Sequence, residues 1–271
     1  MNSRAYLARI DALPPLAPDL AALTYLQLRH LLAVPFENLS IVYGEPIVLD
    51  EAWLYAKIVE RRRGGFCYEL NGLFGALLRD LGYRVDYVAA EVYSSGEQAF
   101  GPPFDHMALL VHLDRPYLVD VGFGESARAP LALPQGDAPA GAAPQSLTQD
   151  AGGAYRLVTA GGYLLLQKAE AGGWAAQYRF TPQPHTLADY RAMCAYHSTD
   201  PASHFTRRWI CSRATETGRI SLTAGELIVT EAGSKQRTAV AEETRPELLR
   251  RYFALDLAAL RAARGSEGLA T

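Results

Sequence analysis

The stretch from residue 67 to 82 constrains the chain most. Leu70, Leu73, Phe74, Leu77, Leu78 and Leu81 recur at the spacing of one face of an α-helix, and Gly82 stands where such a helix stops. From residue 83 the period changes. "YRVDYVAAEVY", "HMALLVHL", "YLVDVGF", "AYRLVTA", "YLLLQKA" and "WAAQYRFT" read as strands rich in Val, Leu and Tyr. Upstream, Asp19 is placed to cap "LAALTYLQLRHLLAV", which Pro35 ends, and Asp50 is placed to cap "EAWLYAKIVERRR". The Ala-, Pro- and Gly-rich residues 130–153 read as a long surface loop within the strand region. The last part mixes types: a helix in "HTLADYRAMCAYHS", a small meander over 218–240, and a closing helix over 245–264 with Pro246 in its first turn. The expected class is α+β, with helices first, a β-rich middle and a mixed α/β tail.

Bulk properties narrow the function. The 271 residues are 49% apolar and 20% charged with a net charge of −3, which describes a folded chain without the basic footprint of a nucleic-acid binder. No window approaches the apolar length of a membrane span, and "MNSRAYLARIDALPPLAP" does not read as a signal peptide. Three widely spaced cysteines, Cys67, Cys194 and Cys211, give neither a disulfide framework nor a zinc motif. No metal is expected, and the reducing cytoplasm is the expected compartment.

Cys67 lies at the start of the 67–81 helix, after Gly64-Gly65. Unpaired N–H groups and partial positive charge at a helix start favour thiolate over thiol, and the same N–H groups suit a developing oxyanion. The glycine pair would let a substrate approach the backbone. As a nucleophile, Cys67 needs a base. Of six histidines, His106 opens the strand "HMALLVHL", and Asp120 is an acid inside the next apolar run. A hairpin loop over about 111 to 115 sets His106 directly across from Asp120, whereas a slip of one residue turns Asp120 to the other face. In the catalytic reading Asp120 holds the imidazole, His106 takes the thiol proton and Cys67 attacks an acyl carbon. In the other reading Cys67 is a packing residue, His106 a satisfied strand-end residue and Asp120 a cap. The residues alone leave both open.

"RGGFCYELN", "HMALLV" and "YLVDVGFG", with "PFENL" at 35–39, "YLARI" at 6–10 and "SHFT" at 203–206, resemble the arylamine N-acetyltransferases, in that family's order over most of the chain. The resemblance implies a helical bundle over 1–83 carrying the nucleophile, a β-barrel over 84–190 carrying the histidine and aspartate, and an α/β lid over 191–271. It implies a triad of Cys67, His106 and Asp120, related in arrangement to that of the cysteine proteases. Acetyl-CoA would load an acetyl group on Cys67, and an aromatic amine or hydrazine would then take it. It further implies that Phe123 walls the acceptor pocket and that Gly124, His204 and Phe205 lie at the cofactor. Arg9, Glu37 and Arg63 would form a structural ion network, and Arg207, Arg208, Arg213 and Arg219 are either phosphate contacts or an exposed arginine face. Two departures stand out: "VYSSGEQAFGPPFD" before His106 is not a clean match, and Glu125 sits where a neutral residue would suit phosphate better. A macrolactam-forming amide synthase of the same family, a transglutaminase-like thiol hydrolase and a non-enzymatic binding protein are the competing readings.

Overall fold

The computed structural model describes residues 1–134 and 146–256. The middle of the loop expected over 130–153 and the end of the helix expected over 245–264 lie outside those residues.

The chain opens with helices α1 (Ser3–Arg9) and α2 (Leu20–Ala33), a two-residue strand β1 (Phe36–Glu37), and helices α3 (Leu39–Tyr43), α4 (Glu51–Tyr55) and α5 (Cys67–Asp80). Asp19 caps α2 through the N–H of Ala22, and Asp50 caps α4 through those of Ala52 and Trp53. A π-helical turn, Ala56–Glu60, extends α4 and turns Lys57 inward. The expected apolar stripe of α5 is there, but the helix is buried on every side from Cys67 to Leu78. Off that stripe, Gly72 and Gly75 admit close neighbours. A Cβ on Gly75 would meet the Tyr87 ring at 2.9 Å, and Tyr87 in turn donates its hydroxyl to the Gly72 carbonyl at 2.9 Å. This helix is the axis of the largest apolar cluster.

Strands β2 (Arg84–Ser94), β3 (Ala99–Phe100), β4 (His106–His112), β5 (Pro116–Val119), β6 (Leu131–Ala132), β7 (Leu147–Asp150), β8 (Gly153–Ala160), β9 (Tyr163–Glu170) and β10 (Gly173–Phe180) form one antiparallel sheet. Its order is β6-β5-β4-β2-β10-β9-β8-β7, with β3 folded back on β2, and it curls until β6 meets β8, giving a nearly closed barrel. The period of two divides β4 cleanly. Met107, Leu109 and Val111 join the α5 cluster, while Ala108 and Leu110 join the barrel interior. β7 and β6 fall within residues 130–153, so that segment is not wholly loop.

Beyond the barrel come α6 (Arg191–Thr199) and α7 (His204–Arg207), then β11 (Ile210–Thr215), β12 (Gly218–Thr223), β13 (Glu226–Glu231), β14 (Ser234–Ala239) and α8 (Arg245–Phe253). The second sheet runs β1-β11-β12-β13-β14, so two residues from the first helical region edge a sheet of the last third. α8 ends at Ala254, which takes a left-handed φ of 55°, so the expected helix does not run on unbroken.

His30 is buried in the helical region, stacked on Phe74 at 5.1 Å, with neither ring nitrogen bonded among the described residues. Burial, with a smaller contribution from Arg9, lowers its pKa from 6.5 to about 3. The unfolded chain therefore binds this proton first as pH falls, and stability is lost from about pH 6.5 downward toward 3. His30→Leu is expected to flatten the fall of Tm with pH in that window, as measured by thermal denaturation in matched buffers. At pH 8, where the imidazole is neutral in both states, it should leave only a packing difference.

Candidate active site

Cys67 is the first residue of α5 and is 3% exposed. Its sulfur receives a backbone hydrogen bond from Met107, the second residue of β4. Burial pushes the thiol well above its usual range; the Met107 N–H opposes this, while Cys194, Asp120 and Asp105 add to it. The expectation that a helix start lowers this pKa is therefore not met, because removal of water outweighs the helix end. Gly64 and Gly65 also act otherwise than expected. A Cβ on Gly64 would meet the Pro35 carbonyl oxygen at 2.0 Å, and one on Gly65 would meet Glu69 Oε2 at 2.6 Å. They serve close packing of the β1 segment, whose Glu37 N–H bonds the Gly65 carbonyl at 2.9 Å.

His106 Nε2 lies 2.7 Å from Asp120 Oδ2, with both side chains buried. The hairpin register pairs Leu109 with Val119 and His112 with Pro116, so His106 is not directly opposite Asp120. The pairing slides by two residues from the expected one, which keeps the two on the same face as diagonal neighbours. β5 ends at Val119, so Asp120 is the first residue past the strand rather than inside it. Its carboxylate accepts four hydrogen bonds. Oδ1 receives the Asn71 amide and the Gly122 N–H, each at 2.9 Å, and Oδ2 receives His106 at 2.7 Å and the Tyr178 hydroxyl at 3.0 Å. Burial alone would raise the Asp120 pKa, but His106 and these donors hold it below the usual carboxylate range. With its Nε2 side turned to Asp120, the ring carries Nδ1 on its other side.

Three of these partners escaped the sequence reading. Asn71 sits four residues after Cys67, on the same helix face, and also donates to the Met107 carbonyl at 2.6 Å and accepts the Val121 N–H at 2.9 Å; its position was the available signal. Tyr178 comes from β10 with no local cue. Gly122 is fixed by space: a Cβ there would meet Asn71 Nδ2 at 2.7 Å and Cys67 Cα at 2.8 Å.

Under the start of α5 lies a buried ion network. Lys57 Nζ meets Glu69 Oε1 at 2.6 Å, and Glu69 Oε2 accepts the Phe66 N–H at 3.2 Å, which ties the pair to the turn before Cys67. Burial pushes the Glu69 carboxyl up, and the Lys57 ammonium holds it back. Arg63 pairs with Glu37 and Glu45, each at 2.8 Å. Arg9 instead donates to four backbone carbonyls, of Ala33, Ile58, Arg62 and Arg63, so it braces the chain and, among the described residues, pairs with no carboxylate.

Phe123 packs edge-on against the His106 and Tyr178 rings at 5.1 and 5.0 Å. It also lines a cleft of about 520 Å³ with Phe36, His204, Phe205, Arg207, Arg208 and Trp209. Of Phe123, Gly124, His204 and Phe205, expected at the acceptor pocket and cofactor, three thus meet at one cleft. Gly124 does not line it; with φ of 85° it turns the chain after Phe123. The Glu125 carboxylate is taken up by Lys168 at 2.7 Å. Arg219 donates to Ser212 Oγ at 2.7 Å and borders a different, polar cleft. Cys194 and Cys211 pack in separate apolar clusters. Among the described residues, no group of three or more His, Cys, Asp or Glu side chains is placed to hold a metal ion, and no helix is long and apolar enough to cross a membrane.

A family model described as N-acetyltransferase matches residues 19–262. The chain is 34% identical over 242 residues to the arylamine N-acetyltransferase of Mycolicibacterium smegmatis, covering 87% of this chain and 85% of that one. It is 35% identical over 222 residues to the arylamine N-acetyltransferase / N-hydroxyarylamine O-acetyltransferase of Salmonella typhimurium, covering 81% and 75%. The fold matches that of Mycobacterium marinum arylamine N-acetyltransferase, solved in complex with CoA, with a TM-score of 0.85 at 32% identity over 96% of this chain and 94% of that one. The protein is an acyltransferase by fold and sequence. It belongs to the arylamine N-acetyltransferase family.

Lys57→Met leaves Glu69 without its counter-charge beneath the nucleophile turn, and a broken buried pair costs about 3–5 kcal/mol. Urea unfolding at pH 7 should show a loss of that order. The deficit should grow as pH rises above the ordinary carboxylate range, because the unfolded chain gives up this proton more readily than the buried site does.

Proposed function

We propose that this protein transfers an acetyl group from acetyl-CoA to an aromatic amine or hydrazine through a thioester on Cys67, with His106 as base and acid and Asp120 as the group that orients it. The observation that carries the reading is the buried His106–Asp120 contact of 2.7 Å at the start of β4, whose next N–H bonds the Cys67 sulfur. Family membership and a CoA-bound relative of the same fold support the choice of donor.

The chemistry follows from the burial. A lone thiolate is costly here, so the sulfur ionises as half of an ion pair, giving its proton to His106 Nδ1 while Asp120 balances the imidazolium. The sulfur attacks the acetyl carbonyl carbon. The C–S bond to CoA breaks, and the CoA thiolate takes the proton back from His106. As the first helical residue, Cys67 has an N–H with no intrahelical acceptor, well placed for the developing oxyanion. In the second half the amine nitrogen attacks the thioester, His106 removes its proton, and Cys67 leaves. The aromatic wall of Phe123 and Phe205 suits a flat acceptor, and the exposed Arg207 and Arg208 at the same cleft suit the anionic end of CoA. A working thiol fits a reducing cytoplasm, where we place the protein.

Intact-mass measurement after mixing with acetyl-CoA, without amine, should show one added acetyl group, mapped to Cys67 and absent from Cys67→Ala. Protein that stays unmodified while folded would exclude this mechanism. His106→Ala should lower turnover by about 10⁴-fold. It should also slow alkylation of Cys67 by iodoacetamide at pH 6.

A further inference from the structure

The residues just before His106 are held by contacts that the proposed chemistry does not use. Phe104 takes a φ of 67°, a left-handed backbone conformation that is strained for an aromatic residue. Such strain persists only where the surroundings over-determine it. Here the Tyr68 hydroxyl lies 2.7 Å from the Phe104 carbonyl oxygen and 3.2 Å from that of Asp105. The Phe104 ring packs against His185 at 4.8 Å and Tyr190 at 5.1 Å. The Asp105 carboxylate meets His197 Nε2 at 2.9 Å, and His197 Nδ1 lies 3.2 Å from Ser203 Oγ. His197 and Ser203 are each 2% exposed. Ser203 is also the cap of α7, accepting the Phe205 N–H at 3.2 Å.

We propose that Tyr68, Asp105 and His197 are positioning residues that clamp the start of β4, fixing the His106 ring and the Met107 N–H against the Cys67 sulfur. Tyr68 follows Cys67 directly on α5, so one end of the clamp is anchored beside the nucleophile. The other end runs through His197 and Ser203 to α7, whose His204 and Phe205 line the cleft. None of the three residues touches the reacting atoms. Relaxation of Phe104 out of its left-handed conformation would re-aim the two residues that follow Asp105, and a misplacement of about 1 Å at a reacting group costs on the order of 10²-fold in rate. The clamp therefore sets the geometry of the pair and links it to the part of the cleft that α7 contributes. The inference rests on the reading of Cys67 and His106 as the reacting pair.

Two nearly isosteric variants test it. Tyr68→Phe removes one hydroxyl, and Asp105→Asn removes one charge. For each, single-turnover acetylation of Cys67 by acetyl-CoA is followed by mass, and the pH profile of Cys67 alkylation by iodoacetamide is compared with that of the wild type. The expected result is acetylation slower by about tenfold or more and a displaced alkylation profile, with unchanged far-UV circular dichroism. Asp105→Asn combined with His197→Asn should add little to either single change. Should Asp105→Asn fail to fold, Tyr68→Phe alone decides. Alkylation profiles that superimpose on wild type, with acetylation within about twofold, overturn the clamp even if Tm falls. A wild type that takes up no acetyl group refutes the catalytic reading instead.

Discussion

The Asp120 carboxylate is the junction on which the arrangement depends. Its two oxygens collect Asn71 from the central helix, His106 from β4, Tyr178 from β10 and the N–H of Gly122 from its own loop. A buried carboxylate without such donors would protonate or destabilise the fold. With four of them it stays charged, and each donor is thereby fixed in place. The helix and the barrel are joined here as well as through their apolar contacts, and the same hydrogen bonds that keep the charge buried fix the orientation of the His106 imidazole.

Burial raises the pKa at both ends of the proposed line, but the outcomes differ. It makes a solitary thiolate at Cys67 unfavourable, and four donors offset it at Asp120. The site is thus built to hold a pair of charges or none. That suits chemistry in which a proton moves between sulfur, imidazole and an incoming group while water is kept away. The ion pairs beneath α5 belong to the same economy of charge: Lys57 offsets Glu69, and Arg61 and Arg63 together offset Glu37 and Glu45.

Much of this was legible in the sequence where local periodicity carried it. The α5 stripe, the caps at Asp19 and Asp50, and the change to strands after residue 83 are all short-range signals. The pairing of His106 with Asp120 was legible in kind but not in register, because side-chain alternation survives a slip of two residues and a hairpin loop cannot be measured from composition. Tyr178 and the Lys57–Glu69 pair carried no such signal. Their partners are brought by strand order and by a π-helical turn, neither of which leaves a pattern in nearby residues. The thiol's raised pKa was missed for a related reason: a helix start is visible in sequence, and the loss of water around it is not.

The two-residue strand β1 has a consequence for how the chain is made. Phe36 pairs with Ser212, and the Asn38 side chain bonds the Phe205 carbonyl and the Ile210 N–H across more than 160 positions. During vectorial synthesis the segment that braces Gly64 and Gly65 must therefore wait, unpaired on one edge, until the last third of the chain emerges. A nascent or truncated product lacking β11 would carry Cys67 next to a β1 segment still without its strand partner.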